Sequence, residues 1–192
     1  MTGTRTWVFG YGSLVSPGSF GATIGRRLRV GPEFVVARLD GFGRRWNYGI
    51  RGFEGVSAGS DGAERTWTLV ALGVTVSPSE TVNGVVAPVS TDELAALDRR
   101  EREYDRVDVT ASIGGVDVRD GDRVVTYVPR PAAVARAASA HSERRAAIEL
   151  RYSDLVLGAF ADLGPEHLER YRATTPDEGI PVVDVTRRAT GR

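Results

Sequence analysis

The chain has 192 residues, 41% of them hydrophobic and 26% charged, an ordinary globular composition in a length that buries a core without covalent staples. Its 25 basic residues, every one an arginine, balance 25 acidic ones, and a net charge of zero excludes a nucleic-acid binder that works by counterion release. The absence of cysteine excludes disulfides, thiol nucleophiles and thiolate metal sites together, and two histidines, His141 and His167, exclude a histidine-rich metal centre. No apolar run approaches the length of about 18 residues that spans a bilayer. Met1-Thr-Gly-Thr-Arg-Thr6 lacks the regions of a signal peptide, so a cytoplasmic location is expected.

Residues 6–11, rich in aromatic and β-branched side chains, predict a first strand ended by Gly12-Ser13. Pro17-Gly18 opens a short helix reaching toward Leu28. Residues 34–39 read as a strand, and 44–48 as a second or its continuation. The glycine-rich stretch 52–64 reads as a loop or hairpin tip and is a candidate mobile lid. Two strong strands, 67–76 and 82–89, flank the turn-like Ser77-Pro78-Ser79-Glu80. Ser90-Thr91-Asp92-Glu93 is a capping box that starts a helix running to about Glu103.

Residues 104–113 alternate as a strand, Gly114-Gly115 turns the chain, and 123–128 form another strand. A long helix is expected from about Ser142, with Ile148, Tyr152, Leu155, Val156, Ala159, Phe160 and Leu163 at helical spacing. Gly164-Pro165 closes it before a short helix over 166–172. The tail beyond Thr174 reads as an edge strand or docking arm. Many strands with few intervening helices predict an α+β fold with a mixed, barrel-like β core and flanking helices. The chain reads as one domain over 1–192, with a core at 5–130 and a helical C-terminal extension at 140–192.

In the capped helix, at 100° per residue from Leu94, Leu97 falls at about 300°, Glu101 at about 340° and Glu103 at about 180°. Glu101 therefore occupies the apolar stripe, Glu103 the wet face, and Arg99, Arg100 and Arg102 splay outward. A carboxyl on a buried stripe has the raised pKa that a general acid or base needs, or else forms a structural ion pair with an arginine. At the end of the first strand, Gly10-Tyr11-Gly12-Ser13-Leu14 lets the backbone approach a ligand, and a following helix start would offer unpaired N–H groups to an anion. Gly12 is expected to hold a place or conformation that a Cβ forbids. A dinucleotide fingerprint fails here because Val15 stands where its third glycine belongs, and the hydrolase elbow around Ser13 is absent.

Together, Phe9-Gly-Tyr-Gly-Ser-Leu14 and Leu97-Asp-Arg-Arg-Glu101 followed by Tyr104 resemble the γ-glutamylcyclotransferase superfamily, including its AIG2-like and glutathione-specific members. The likeness extends over Val82-Asn-Gly-Val-Val-Ala87, Gly43-Arg-Arg-Trp46 and residues 123–128. Arg102 departs from it, standing where the family often has glycine. The resemblance implies the fold of that superfamily and closure of a γ-glutamyl group to 5-oxoproline, with no metal and no cofactor. It further implies Glu101 as catalytic acid/base and Tyr11, Gly12, Ser13 and Leu14 as the loop binding the γ-glutamyl moiety through its backbone. Tyr104 would orient Glu101 or substrate, and Trp46, Asn47 and Tyr48 would line the pocket. The expected partner is a small γ-glutamyl compound, with neither nucleic acid nor membrane involved. The competing expectation is a binding or regulatory domain using Arg26, Arg27, Arg29, Arg44 and Arg45 as contact surface.

Overall fold

The computed structural model describes residues 4–59 and 62–190. Among the described residues ten strands form the mixed sheet: β1 (Thr6–Gly10), β2 (Val35–Gly49), β3 (Phe53–Ala58), β4 (Glu64–Val89), β5 (Tyr104–Asp108), β6 (Ile113–Gly114), β7 (Arg123–Pro129), β8 (Ala146–Glu149), β9 (Val182–Val183) and β10 (Thr186–Ala189). Around it lie α1 (Pro17–Ile24), α2 (Thr91–Arg100), α3 (Pro131–Ser142), α4 (Leu150–Leu163) and α5 (Pro165–Ala173). The sheet runs β10-β3-β4-β1-β7-β5 and curls into a half-barrel, with β2 laid along β4. β1 lies parallel to β7 and antiparallel to β4, which puts the end of β1 deep in the fold. This is the α+β, barrel-like architecture expected from the sequence.

The axis of the sheet is β4, one strand where two were expected. Ser77-Pro78-Ser79-Glu80 does not reverse the chain; it loops out between the pairs Asp40↔Thr81 and Phe42↔Val76, so that Gly41 alone stands opposite it. Such an insertion is a large β-bulge, and it is a place where Pro78 forfeits no ladder hydrogen bond. On either side of the bulge, Leu69 to Val74 and Val82 to Ala87 are buried on both faces, while Thr75 and Val76 beside it are exposed. β2 likewise runs unbroken through both stretches expected for it.

The capping box forms as expected: Glu93 N donates to Ser90 Oγ at 3.2 Å and Ser90 N to Glu93 Oε2 at 2.8 Å. Arg26 Nε, 2.6 Å from Glu93 Oε1, ties this helix start to the end of α1. Leu97 is fully buried, an anchor contributing about 2 kcal/mol. The helix nevertheless stops at Arg100, with Glu101 as its C-cap at φ −92° and ψ 31°.

Three other expectations are corrected. Residues 104–113 break at Asp108 into β5, a short 3₁₀ turn and β6. The helix expected from Ser142 begins at Leu150, because Ala146 to Glu149 are wholly buried and pair in parallel with Thr68 to Val70 of β4 and with β9. Before it lies an unanticipated helix, α3, with Pro131 at its first position and many alanines, a sequence with high helix propensity but no large apolar stripe to reveal it. The stretch 52–64 contains β3 and the start of β4; its Ser60 and Asp61 lie outside the described residues. The tail supplies the edge strand β10, paired with β3.

Val156, Phe160 and Tyr171 of the C-terminal helices join Phe9, Leu39 and Val86 in one buried cluster. Among the described residues no helix is long and apolar enough to cross a membrane.

Candidate active site

After Gly10 the chain turns through Tyr11 and Gly12 into a 3₁₀ turn, Ser13–Val15, closed by Val15 N to Gly12 O at 2.9 Å. The N–H groups of Ser13 and Leu14 precede that first internal bond, so the turn leaves them for another acceptor. The helix start itself is satisfied otherwise: Ser16 caps α1, its Oγ accepting from Ser19 N at 3.2 Å. The anion-binding helix start expected after the first strand is thus replaced by the short turn.

Gly10 and Gly12 are required for space. A Cβ on Gly10 would lie 2.8 Å from Leu14 Cβ and 3.0 Å from the Leu14 backbone. At Gly12 it would lie 3.0 Å from the hydroxyl of Tyr152. The φ of Gly12, −127°, is open to any residue, so close approach and not conformation is what this glycine provides.

The loop forms one wall of a cavity of about 30 Å³, lined by Phe9 through Leu14, Leu72, Glu101, Tyr104, Tyr127 and Tyr152. Of the residues expected at the site, Glu101, Tyr11, Gly12, Ser13, Leu14 and Tyr104 meet there. Glu101 is the one carboxylate among the described lining residues. Burial pushes its carboxyl above the ordinary range, and Arg100 pulls the other way.

The phenols are pinned to the barrel. Tyr11 OH donates to Tyr127 O at 2.6 Å, and Tyr127 OH to Asp98 Oδ1 at 2.8 Å. Two tyrosines grip the Leu72 peptide: Tyr104 OH donates to Leu72 O at 3.2 Å, and Tyr152 OH accepts from Leu72 N at 3.2 Å. The Tyr152 hydroxyl, which spends its acceptor on that amide, keeps a proton to donate. Burial raises the pKa of all four, so they are neutral donors and acceptors at ordinary pH.

Trp46, Asn47 and Tyr48 do not line the cavity, contrary to expectation. Tyr48 stacks on Tyr104 at 4.4 Å, and Trp46 meets Tyr152 edge-on at 6.1 Å, so they brace the wall from behind. No described residue of the 52–64 hairpin lines it either, which removes the basis for a lid there. Leu72, Tyr127 and Tyr152 were not anticipated. Their only signal in the sequence is apolar or aromatic character within predicted elements, which any core position shares.

Two arginine and glutamate placements also differ from expectation. Arg100 folds back onto Glu101 and does not splay outward. Glu103 is half-buried and paired: its Oε2 accepts from Arg136 Nη2 at 2.5 Å and from Tyr48 OH at 3.5 Å, and Arg51 lies 3.9 Å from Oε1. The cause is the early end of α2, which carries Glu103 into a turn where Arg130 N bonds its carbonyl at 3.0 Å. Glu103→Gln should therefore lower stability by about 1–3 kcal/mol, the worth of a partly buried charged hydrogen bond, as read from a melting curve.

Neither protein-family models nor curated proteins give a match to the sequence. Solved structures do. A γ-glutamyl cyclotransferase aligns over 91% of this chain and 90% of its own at 18% identity and a TM-score of 0.51. An uncharacterized Homo sapiens protein aligns over 92% and 91% at 18% identity and 0.52. YkqA from Bacillus subtilis aligns over 95% of this chain but 57% of its own, at 16% identity and 0.56.

The chain has the γ-glutamylcyclotransferase-like fold.

Proposed function

We propose that the chain is a γ-glutamylcyclotransferase-type enzyme that closes a γ-glutamyl group to 5-oxoproline and releases the attached amine, amino acid or peptide. The observation that carries this reading is the meeting of Glu101 and the 11–14 loop on one cavity, although they lie far apart in the chain. In the reaction, the substrate α-amine attacks its own side-chain carbonyl. The new C–N bond forms as the amine's proton passes to the Glu101 carboxylate, and the C–N bond to the leaving group breaks as that proton is returned to the leaving nitrogen. Nucleophile and electrophile are tethered, so the main task is to hold a near-attack conformer. A carboxyl raised by burial suits both proton transfers. The free N–H groups of Ser13 and Leu14 and the donating hydroxyl of Tyr152 would hold the substrate carboxylate and polarise its carbonyl. Tyr104, stacked and bonded to the Leu72 carbonyl, fixes the wall beside Glu101. No step calls for a metal or cofactor, and a small γ-glutamyl compound in the cytoplasm is the expected partner.

The competing contact-surface reading keeps exposed Arg27 and Arg29 but not the other three arginines, which are engaged within the fold. Arg44 is wholly buried, Arg45 Nη2 lies 2.5 Å from Glu80 Oε2, and Arg26 is held by Glu93 and the Pro88 carbonyl. The deciding experiment is incubation with glutathione, γ-glutamyl amino acids and γ-glutamyl amines, measuring 5-oxoproline. Release from at least one supports the enzyme; silence across the panel from folded protein supports a binding domain. Gly12→Val should abolish binding of 5-oxoproline in calorimetry, because its side chain grows toward the Tyr152 hydroxyl. Its melting temperature should fall as well, since the Tyr152 hydroxyl it meets is held on the Leu72 amide, so affinity is read on protein shown to be folded. Unchanged affinity would reduce the loop to a simple turn.

A further inference from the structure

Arg100, the last residue of α2, spreads one guanidinium over both halves of the site. Its Nε lies 3.1 Å from Glu101 Oε1. Its Nη2 donates to Ser13 Oγ and to Ser19 Oγ, each at 3.0 Å. Its Nη1 donates to Ser19 O at 2.9 Å and to Thr23 Oγ1 at 2.7 Å. Carboxylate, loop and α1 are thereby fastened to one rigid, planar group.

We propose that Arg100 is a positioning residue that fixes the Glu101 carboxylate relative to the Ser13 end of the loop, so that base and substrate-holding loop move as one unit. The chemistry it serves rests on the cyclotransferase reading above. Only arginine offers donors in a fixed fork wide enough for both partners; lysine supplies the charge without the span. The geometry also assigns a direction to the Ser13 hydroxyl. An oxygen that accepts from a guanidinium keeps its own proton for another partner, and Ser13 lines the cavity, so it serves as a donor to ligand there.

Glu101 is otherwise surrounded by phenols: Tyr11 of the loop, Tyr48 of β2, Tyr104 of β5, Tyr127 of β7 and Tyr152 of α4. Each is pushed above its ordinary range, Tyr48 to about 12, so none titrates near neutrality. Arg100 is the charged group that opposes the effect of burial on Glu101.

The test compares Arg100→Met, Arg100→Lys and Ser13→Ala with the unaltered protein. The Glu101 carboxyl is titrated by carbon NMR, its signal assigned by loss in Glu101→Gln, and kcat/KM for 5-oxoproline release is followed against pH. Arg100→Met should move the Glu101 titration, and the acid limb of the rate profile, to higher pH. Arg100→Lys should restore the titration but leave kcat/KM about 10²-fold low, the effect of a misplaced base. Ser13→Ala should lower kcat/KM in the unaltered background and add little to Arg100→Lys. An unmoved titration in folded Arg100→Met, or full kcat/KM in Arg100→Lys, overturns the proposal. Arg100→Gln replaces the Met variant if melting shows that variant unfolded. Should the unaltered protein release no 5-oxoproline from any substrate, the cyclotransferase reading fails, while the NMR titration still decides whether Arg100 governs Glu101.

Discussion

Glu101→Gln should cut 5-oxoproline release by roughly 10²–10⁴, the worth of a positioned general base, while leaving the melting temperature unchanged or raised. The substitution keeps shape and removes a desolvated charge. The sign follows from linkage: burial raises the folded-state pKa of Glu101, so the folded protein holds that proton more tightly than the unfolded chain does. Unaltered protein therefore loses stability as pH rises from the unfolded carboxylate range through the folded value, and the Gln variant is spared that loss. The opposing contribution is the ion pair with Arg100. That arginine is 29% exposed and keeps Ser13, Ser19 and Thr23, so losing Glu101 strands little, below about 1 kcal/mol. A purely structural Glu101 predicts the reverse, several kcal/mol lost with activity merely tracking unfolding. Glu103 cannot serve as the control, since it has its own ion pairs; the exposed Glu169→Gln on α5 can.

What the sequence made legible was local. Ser90 and Glu93 stand three apart and cap each other, and a charge at a stripe position marks Glu101 without any knowledge of its surroundings. The end of α2 was not legible: Arg99-Arg100-Glu101-Arg102 contains no glycine or proline, so an ideal wheel ran on and turned Glu103 to solvent. Tyr127 and Tyr152 reach the cavity only through the sheet and α4, and nothing local separates a wall tyrosine from a core one. Ile148 and Tyr152 are four apart across the junction of β8 and α4, so a strand and a helix mimicked one helical period. The pair Arg44-Arg45 does carry a local signal of burial. Neighbours on a strand point to opposite faces, so one arginine of such a pair on a strand facing a core must be buried.

That buried arginine gives the second large effect. Arg44→Ala should cost about 3–5 kcal/mol and lower the melting temperature by roughly 10 °C. The guanidinium is 0% exposed and has no carboxylate partner among the described residues. It lies 5.1 Å from the ring of Phe160 and 4.8 Å from that of Tyr171, donates to the Asn83 carbonyl, and reaches Thr174 Oγ1 at 3.2 Å and Thr175 Oγ1 at 3.0 Å. Asn83 Nδ2 in turn donates to His167 O at 2.9 Å. One residue of β2 thus fastens α4, α5 and the tail to the barrel. Burial lowers its pKa to about 10, so it stays charged through the neutral range, and the folded state bears the cost of desolvating that charge. Arg44→Met removes the charge and keeps most of the volume between the two rings, so it should lose much less than alanine does. Equal losses in the two variants would instead give the hydrogen bonds to Asn83, Thr174 and Thr175 the main part. In the alanine variant hydrogen exchange should accelerate first in α4 and α5, and because α4 carries Tyr152, 5-oxoproline affinity should fall with it. Loss spread evenly over the whole barrel would refute the fastening role.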